Sequence, residues 1–394
     1  MDLNKNEAAV LKWVKEDPYI SQKELAKKLE LSRPAIANII SRLVGKGYLL
    51  GRAYIVNHTS PTICIGGADI DKIYQLKRSF QKGTTNQIEV TQEIGGVARN
   101  IAENLGRLER EVELFSVVGD DMKWQQIEQA SSPFMETTHV MKVPEQATGT
   151  SIEMKNERGQ ADAKLAEDKI YEQMSVSWLT KQVHLLRRAR HIIADLNCPK
   201  EVIEYLQIVA QQSGVPLVVV TVSIHKMQHL PHDLTGIHLF ALSNEAETDT
   251  QCDIQNEQDL QQAADYYLKK GAESVLISKD YKTVVMGAVG GTSRIFTFKE
   301  IDKPILSFGG VKEAFYAGLL HACIEDLPII ERLKMGYTNA FYTAHTEKNV
   351  RTDLSKAQLE KECSEMKDFV YTMQMIELRT ADDPDQKTIA LSSF

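Results

Sequence analysis

The sequence predicts an α/β protein: a body on a mostly parallel sheet, preceded by a small, basic, helical head. Three observations carry that expectation. After residue 61, short Val- and Ile-rich runs alternate with helix-length amphipathic stretches, as expected for strands covered on both faces. Before residue 57, apolar residues recur at helical spacing in three blocks parted by turn residues. Charge is also divided. The 394 residues carry a net charge of −8, yet residues 1–57 hold ten Lys and Arg against six Asp and Glu, which leaves the head near +4 and the rest near −12. A polyanionic partner is therefore expected at the head alone.

Composition narrows the class. A hydrophobic content of 43% and a charged content of 25% are ordinary for a soluble globular chain. There is no run of 18 apolar residues to span a membrane, and the start, MDLNKNEAAV, lacks the apolar core of a signal peptide. Cys64, Cys198, Cys252, Cys323 and Cys363 are scattered without paired spacing. They read as small buried residues in a reducing cytoplasm, not as a disulfide framework or zinc site.

In the head, Asn6 to Glu16 has a helical stripe at Val10, Leu11 and Val14, and Asp17-Pro18 ends it. Ser21 caps a second helix, with Glu24 three residues on as in a capping box. Ser32 caps a third, Pro34 suits its first turn, and Ile36, Ile39, Ile40 and Leu43 form its buried stripe. Tyr48 to Val56 reads as two short strands around Gly51-Arg52. The stretch ISQKELAKKLELSRPAIANIISRLVGKGYL closely resembles the winged helix-turn-helix of many bacterial regulators. That resemblance implies that the third helix enters the DNA major groove with Arg33, Ala35, Asn38 and Arg42 outward, and that Arg52 tips the wing. Asn pairs with adenine and Arg with guanine. One head grips weakly, so a homodimer reading two half-sites is expected. A protein-interaction domain with a solvated basic face is the alternative. The expected divisions are a head over 1–57, a linker over 58–61, a body over 62–370 and an extension over 371–394.

In the body, strands are expected at Thr62–Ile65, Val112–Val118, His191–Ala194, Pro216–Val222, Leu239–Leu242 and Ser274–Ile277. Ligands of such sheets sit beyond the carboxyl ends of the strands. The first strand runs into GGADID, where glycines admit a ligand to the backbone and a carboxylate accepts hydroxyl hydrogen bonds. Gly95-Gly96 precedes a helix whose first turn carries Arg99 and Asn100. Alone, that glycine pair reads equally as a tight turn capping a helix.

GGADID, the GTTN of Gly83 to Asn86, GGVARNIAENLGRLEREVELFSVVGDD, ATGTSIEM, ADLN, SNEAE and SFGGVKEAFYAGLL occur in this order. Together they resemble the PfkB, or ribokinase-like, family of sugar and nucleoside kinases, from about Pro61 to Lys367. GGVARNIAENL and AEDKIYEQMS look most like its pseudouridine-kinase branch. The resemblance implies a three-layer α/β/α domain with a small β lid from segments near 72–92 and 147–162. It implies substrate contacts at Asp71, Gly95, Gly96 and Asn100. Asn244 and Glu247 match the family's Asn-x-x-Glu motif, which organises Mg²⁺ and the phosphates of ATP without direct metal ligation here. A turn-forming role is the plain alternative for Asn244.

The catalytic turn of the family reads Gly-Ala-Gly-Asp at a helix start, its amides cradling the phosphoryl group and its Asp serving as base. Here it reads Gly310-Val311-Lys312-Glu313. Lys312 adds a side chain and a charge where the phosphate needs room, and that charge is free to attract phosphate or to pair with Glu313. Glu313 keeps a carboxylate but moves it by one methylene; a shift of about 1 Å costs roughly 100-fold in rate. Further departures are Ser278-Lys279-Asp280 in place of Thr-x-Gly, Val220-Thr221-Val222-Ser223 in place of Asp-Pro-Val-Ser, and Asp69 in place of Asn. The sugar-facing half is better kept than the ATP-facing half. Two readings stay open: a ligand-responsive transcription regulator with lost phosphoryl transfer, and an active kinase with ATP and Mg²⁺ that uses Glu313 as base.

Overall fold

The structure is a computed structural model. It describes residues 3–50, 60–243, 245–250, 254, 256–279, 283–289, 293–298, 305–366 and 371–376, with the backbone alone for Thr248 and 371–376. The head holds α1 (Lys5–Glu16), α2 (Gln22–Leu29) and α3 (Arg33–Gly45). Its caps are those the sequence predicts. Ser21 and Glu24 exchange hydrogen bonds, and the Ser32 hydroxyl accepts from the Ala35 amide at 3.3 Å. Val10, Val14, Leu25, Ile36 and Leu43 close the core. Glu7 is buried beside it, 2.8 Å from Lys46 Nζ and 3.4 Å from Arg42 Nε, tying α1 to α3. Arg42 thus has an internal partner that the sequence reading did not give it. The expected hairpin strands and Arg52 lie largely outside the described residues.

The body begins with β1 (Thr62–Ile65), β2 (Asp69–Leu76), β3 (Ile88–Gly95) and α4 (Val97–Arg107). There follow β4 (Val112–Phe115), β5 (Val117–Gly119), α5 (Met122–Ser131), β6 (Met141–Val143), β7 (Thr150–Lys155) and β8 (Ala161–Glu167). A 3-10 turn, Lys169–Gln173, leads to α6 (Val176–Thr180) and α7 (Val183–Leu186). Alternation resumes with β9 (His191–Asp195), α8 (Lys200–Ser213), β10 (Leu217–Val220), β11 (Leu239–Leu242), α9 (Glu245–Thr250) and α10 (Glu257–Lys269). The chain closes with β12 (Ser274–Lys279), β13 (Thr283–Ala288), β14 (Ser293–Phe298), α11 (Val311–Ile324), α12 (Ile329–Ala344), α13 (Lys356–Glu365) and β15 (Tyr371–Ile376).

One sheet runs β15-β14-β13-β12-β11-β10-β9-β1-β4, parallel from β12 to β4 and antiparallel beyond. Helices cover both faces, so β1, β10 and β11 are buried at every residue. The pleat divides them: Ile63 and Ile65 pack toward Leu206 and Phe240, whereas Cys64 packs toward Ala98 and Phe315. A separate sheet, β3-β2-β7-β8, forms the lid, and β8 is exposed along its whole length. Two expectations shift. The run Val112–Val118 divides at Ser116, whose hydroxyl donates to the Gly66 carbonyl at 2.6 Å. The main sheet also extends past the expected boundary at residue 370, because β15 pairs with β14.

Two long-range contacts tie elements together. In the body, buried Arg351 makes a bidentate pair with Glu362 at 2.8 and 2.6 Å and donates to Asn339 Oδ1 at 3.2 Å. Asn339 donates onward to Asn104 and to the Ala314 carbonyl, both at 2.9 Å, so α4, α11, α12 and α13 share one polar beam. Between head and body, the Arg188 guanidinium lies 5.0 Å from the Tyr48 ring centroid and donates to the Gly47 carbonyl.

Candidate active site

The site lies where β1, β2, β9 and α11 converge beyond the strand ends. Its floor is organised by Asp195, the last residue of β9. This buried carboxylate accepts from the amides of Gly67 and Ala98 at 2.9 Å and of Asn197 at 2.8 Å. Burial pushes its carboxyl up despite those amides. A Cβ at Gly66 would collide with Asp195, and one at Gly96, where φ is +97°, would collide with the Gly67 carbonyl. The two glycine pairs thus serve close packing of two turns around one carboxylate.

Asp69 and Asp71 leave β2 toward Gly95, where a side chain would strike both carboxylates. Asp71 Oδ2 accepts from Asn349 Nδ2 at 2.6 Å, and the same amide donates to the Ile94 carbonyl at 3.0 Å. Tyr171 sits behind Asp69: its hydroxyl accepts from the Ala68 amide at 3.0 Å and reaches Asp69 Oδ2 at 3.5 Å. Asp69 Oδ1 is buried with no partner among the described residues. Burial, then the neighbouring Asp71 and Asp195, push the Asp69 carboxyl well above the usual range.

Opposite lies the start of α11. Gly310 takes φ +73° because the Asn349 backbone fills the space of a Cβ. Glu313 is only 8% exposed, and burial, with Asp71 and Asp195 nearby, raises its carboxyl. Lys312 turns the other way. Its Nζ donates to the Thr221 carbonyl at 2.9 Å and lies 3.4 Å from both the Val222 carbonyl and Glu245 Oε1. Burial pushes Glu245 up, but the Lys312 ammonium and the Ser243 hydrogen bonds outweigh it and hold the carboxyl at about 2. The partner of Lys312 is therefore Glu245, a residue outside the two alternatives, phosphate and Glu313, that the sequence left open.

Comparison with known proteins identifies the family and the fold. The pfkB family carbohydrate kinase pattern matches residues 62–348. The chain belongs to the pfkB family. The MarR family pattern matches residues 3–50, so a MarR winged-helix domain precedes the pfkB domain. An uncharacterized sugar kinase, YeiI, of Escherichia coli is 27% identical over 338 residues, 82% of this chain and 89% of the relative. A pseudouridine kinase of the same organism is 24% identical over 299 residues, covering 75% and 94% respectively. Among solved structures, a putative sugar kinase from Clostridium perfringens superposes with a TM-score of 0.67 at 21% identity, covering 82% of this chain and all of that one. An Arabidopsis thaliana ribokinase complexed with ribose and ATP gives 0.67 at 16% identity, covering 77% and 99%. These structures share the ribokinase-like fold.

Within this pfkB domain, Asp71, Gly95, Gly96, Gly310 and Glu313 surround one space. Asn100 lies just behind it, its Oδ1 accepting from Arg99 Nη1 at 3.0 Å. Arg99 itself is buried against Glu103 and Ser131. In α9, Glu247 lies 3.9 Å from Lys279 Nζ, while Asn244 and Asp280 fall outside the described residues. Sequence reasoning assigned no role to Asp195, Tyr171 or Asn349. The first two stand inside stretches that carried the family resemblance, ADLN and AEDKIYEQMS. Asn349 offers no such signal, because it follows α12 in an irregular segment 278 residues from Asp71.

In the head, Arg33 and Asn38 are exposed on α3, Ala35 is half-buried, and Arg42 is exposed but paired with Glu7.

Proposed function

We propose that the chain is a ligand-responsive DNA-binding regulator, in which the pfkB domain binds a polyhydroxylated ligand and no longer transfers phosphate. The observation that carries this reading is the placement of Lys312. Its ammonium is held by two carbonyls at the end of β10 and by Glu245. A magnesium triphosphate at the α11 start would meet a lysine where the family keeps glycine, and drawing that ammonium onto the phosphates would leave Glu245 unpaired, which is costly for a buried carboxylate. The described residues therefore do not favour ATP and Mg²⁺, whereas the sugar-facing turns are mostly kept, with Asp69 in place of Asn as a departure there. Similarity to sugar and pseudouridine kinases supports a sugar or nucleoside ligand.

Exposed Arg33 and Asn38 on α3 would read the DNA, in a homodimer spanning two half-sites. A route from ligand to head would run from Asp69 through Tyr171, which shares one buried cluster with Trp178, Leu179 and Leu186, to Arg188 and Tyr48. The domain limits in this reading are a head to residue 57 and a body from residue 62.

The test is ATP turnover with pseudouridine, other nucleosides and pentoses, beside DNA affinity measured with and without each compound. The expected result is no turnover above background and a DNA affinity that one compound shifts. Brisk phosphorylation abolished by Glu313→Ala would overturn it and establish the second reading, an active kinase. One observation favours that alternative: the raised carboxyl of Glu313, at a helix start and near Asp71, has the character of a general base.

A further inference from the structure

The sugar-facing space is unusual in its charge. Asp69, Asp71 and Glu313 border it, and Asp195 lies directly behind. Asp69 and Asp71 converge on one point above Gly95, within about 5 Å of each other, the range in which like carboxylates resist joint ionisation. Asp195 is satisfied by three amides. Asp69 Oδ1 is not: it is buried with no partner among the described residues. Glu313, more than nine-tenths buried, gains no hydrogen bond from another described residue and faces Asp71 and Asp195.

No described cation forms an ion pair with Asp69, Asp71 or Glu313, although Arg99, Lys164 and Lys312 respectively lie near enough to oppose the rise that burial causes. Arg99 pairs with Glu103, Lys312 with Glu245, and Lys348 with Glu93 at 2.7 Å. Lys164 lies 3.8 Å from Glu153. The donors that remain are the neutral amide of Asn349, given to Asp71 and Ile94, the Ser151 hydroxyl, given to Asp71, and the Tyr171 hydroxyl, which lies 3.5 Å from Asp69 Oδ2. Among the described residues these carboxylates do not form a metal-ligand set. Buried carboxylates must be matched by a proton or a cation.

We propose that the ligand of this site carries a positive charge: an amine-bearing polyol of the amino-sugar class, with its ammonium between Asp69 and Glu313 and its hydroxyls on Asp71. This deepens the sensor reading and rests on it. Without ligand the surplus carboxylates share protons; the ammonium takes the place of one of them. An anionic ligand, a sugar phosphate included, is repelled by the same groups.

The test is titration calorimetry on the full chain with D-glucosamine, D-galactosamine and D-mannosamine. Each is compared with its neutral parent hexose and its N-acetyl derivative. At least one amine is expected to bind 10-fold or more tightly than both controls, with release of about one proton per ligand in buffers of differing ionisation enthalpy. Asp69→Asn, which keeps the shape and removes the charge, should erase the margin; a melting curve checks that it folds. Glu313→Gln provides a second, independent variant. Equal or tighter binding of the neutral hexose would overturn the proposal, since Asp69 would then be acting as a protonated donor. Binding of none of the amines would overturn it too, as would a margin that survives both substitutions. Neutral-sugar binding without ATP turnover removes only this proposal; brisk ATP turnover removes the sensor reading.

Discussion

Lys312 reaches Glu245, with Nζ 3.4 Å from Oε1, and so links the start of α11 to the start of α9 across the end of β10. Both side chains are largely buried, so each depends on the other. Lys312→Met should destabilise the fold by about 3 kcal/mol, because it leaves a buried carboxylate unpaired. Adding Glu245→Gln should recover most of that loss in urea unfolding. The pH arm has a definite sign. A carboxyl held down in the folded state contributes stability above about 4.3, and that contribution is lost as the pH falls toward about 2. In Lys312→Met, where burial pushes the unpaired Glu245 carboxyl up, that acid loss should disappear and stability should instead rise as the pH falls through the carboxylate range.

Asn349 holds the lid through Ile94 and Asp71, while its backbone packs against Gly310 at the start of α11. Asn349→Ala should weaken ligand binding by roughly 10-fold and stability by about 1 kcal/mol. Asn349→Asp should be worse on both counts, since it sets a third carboxylate against Asp71. Calorimetry and thermal melting separate the two effects.

For the head, Arg33→Ala and Asn38→Ala should each cost about 1–3 kcal/mol of discrimination between operator and random DNA, with stability unchanged. Arg42→Ala should differ in kind. It should lower the melting temperature as well, because Glu7 loses one of its two cationic partners. Gel-shift titrations paired with melting curves read both.

Arg188→Ala removes a stack worth about 0.5–1 kcal/mol at the junction of head and body. Ligand affinity should stay within about twofold, whereas the change in DNA affinity on adding ligand should shrink. An unchanged ligand effect would show that the coupling runs elsewhere.

His191 and His321 are both held down to about 4, first by burial and then by Arg190 and Arg110 respectively. The unfolded chain binds two protons there that the folded chain refuses. Stability is therefore full above about 6.5 and falls as the pH drops toward about 4. Denaturant midpoints measured across this window should show that fall, and His191→Gln should flatten it.

The sequence reading reached the strands because they are short and buried on both faces, so Thr62–Ile65 and Leu239–Leu242 stand out as unbroken apolar runs. The three head helices were legible from their caps. What stayed hidden was long-range. Glycine pairs signal close approach but not what approaches, and here it is Asp195 from another strand. Lys312 is visible as an odd residue in its turn, yet its partner depends on where β10 ends relative to α9. Asn349 has no pattern of its own, because its role comes wholly from tertiary proximity.

Asp195 gathers amides from the turn after β1, from the start of α4 and from its own strand end. None of these three turns has its full set of partners until the other two are in place. The three turns are therefore interdependent, and the ligand floor is whole only when all of them are in place. A single carboxylate thus makes the floor behave as one unit: disturbing any one turn withdraws a partner from the other two.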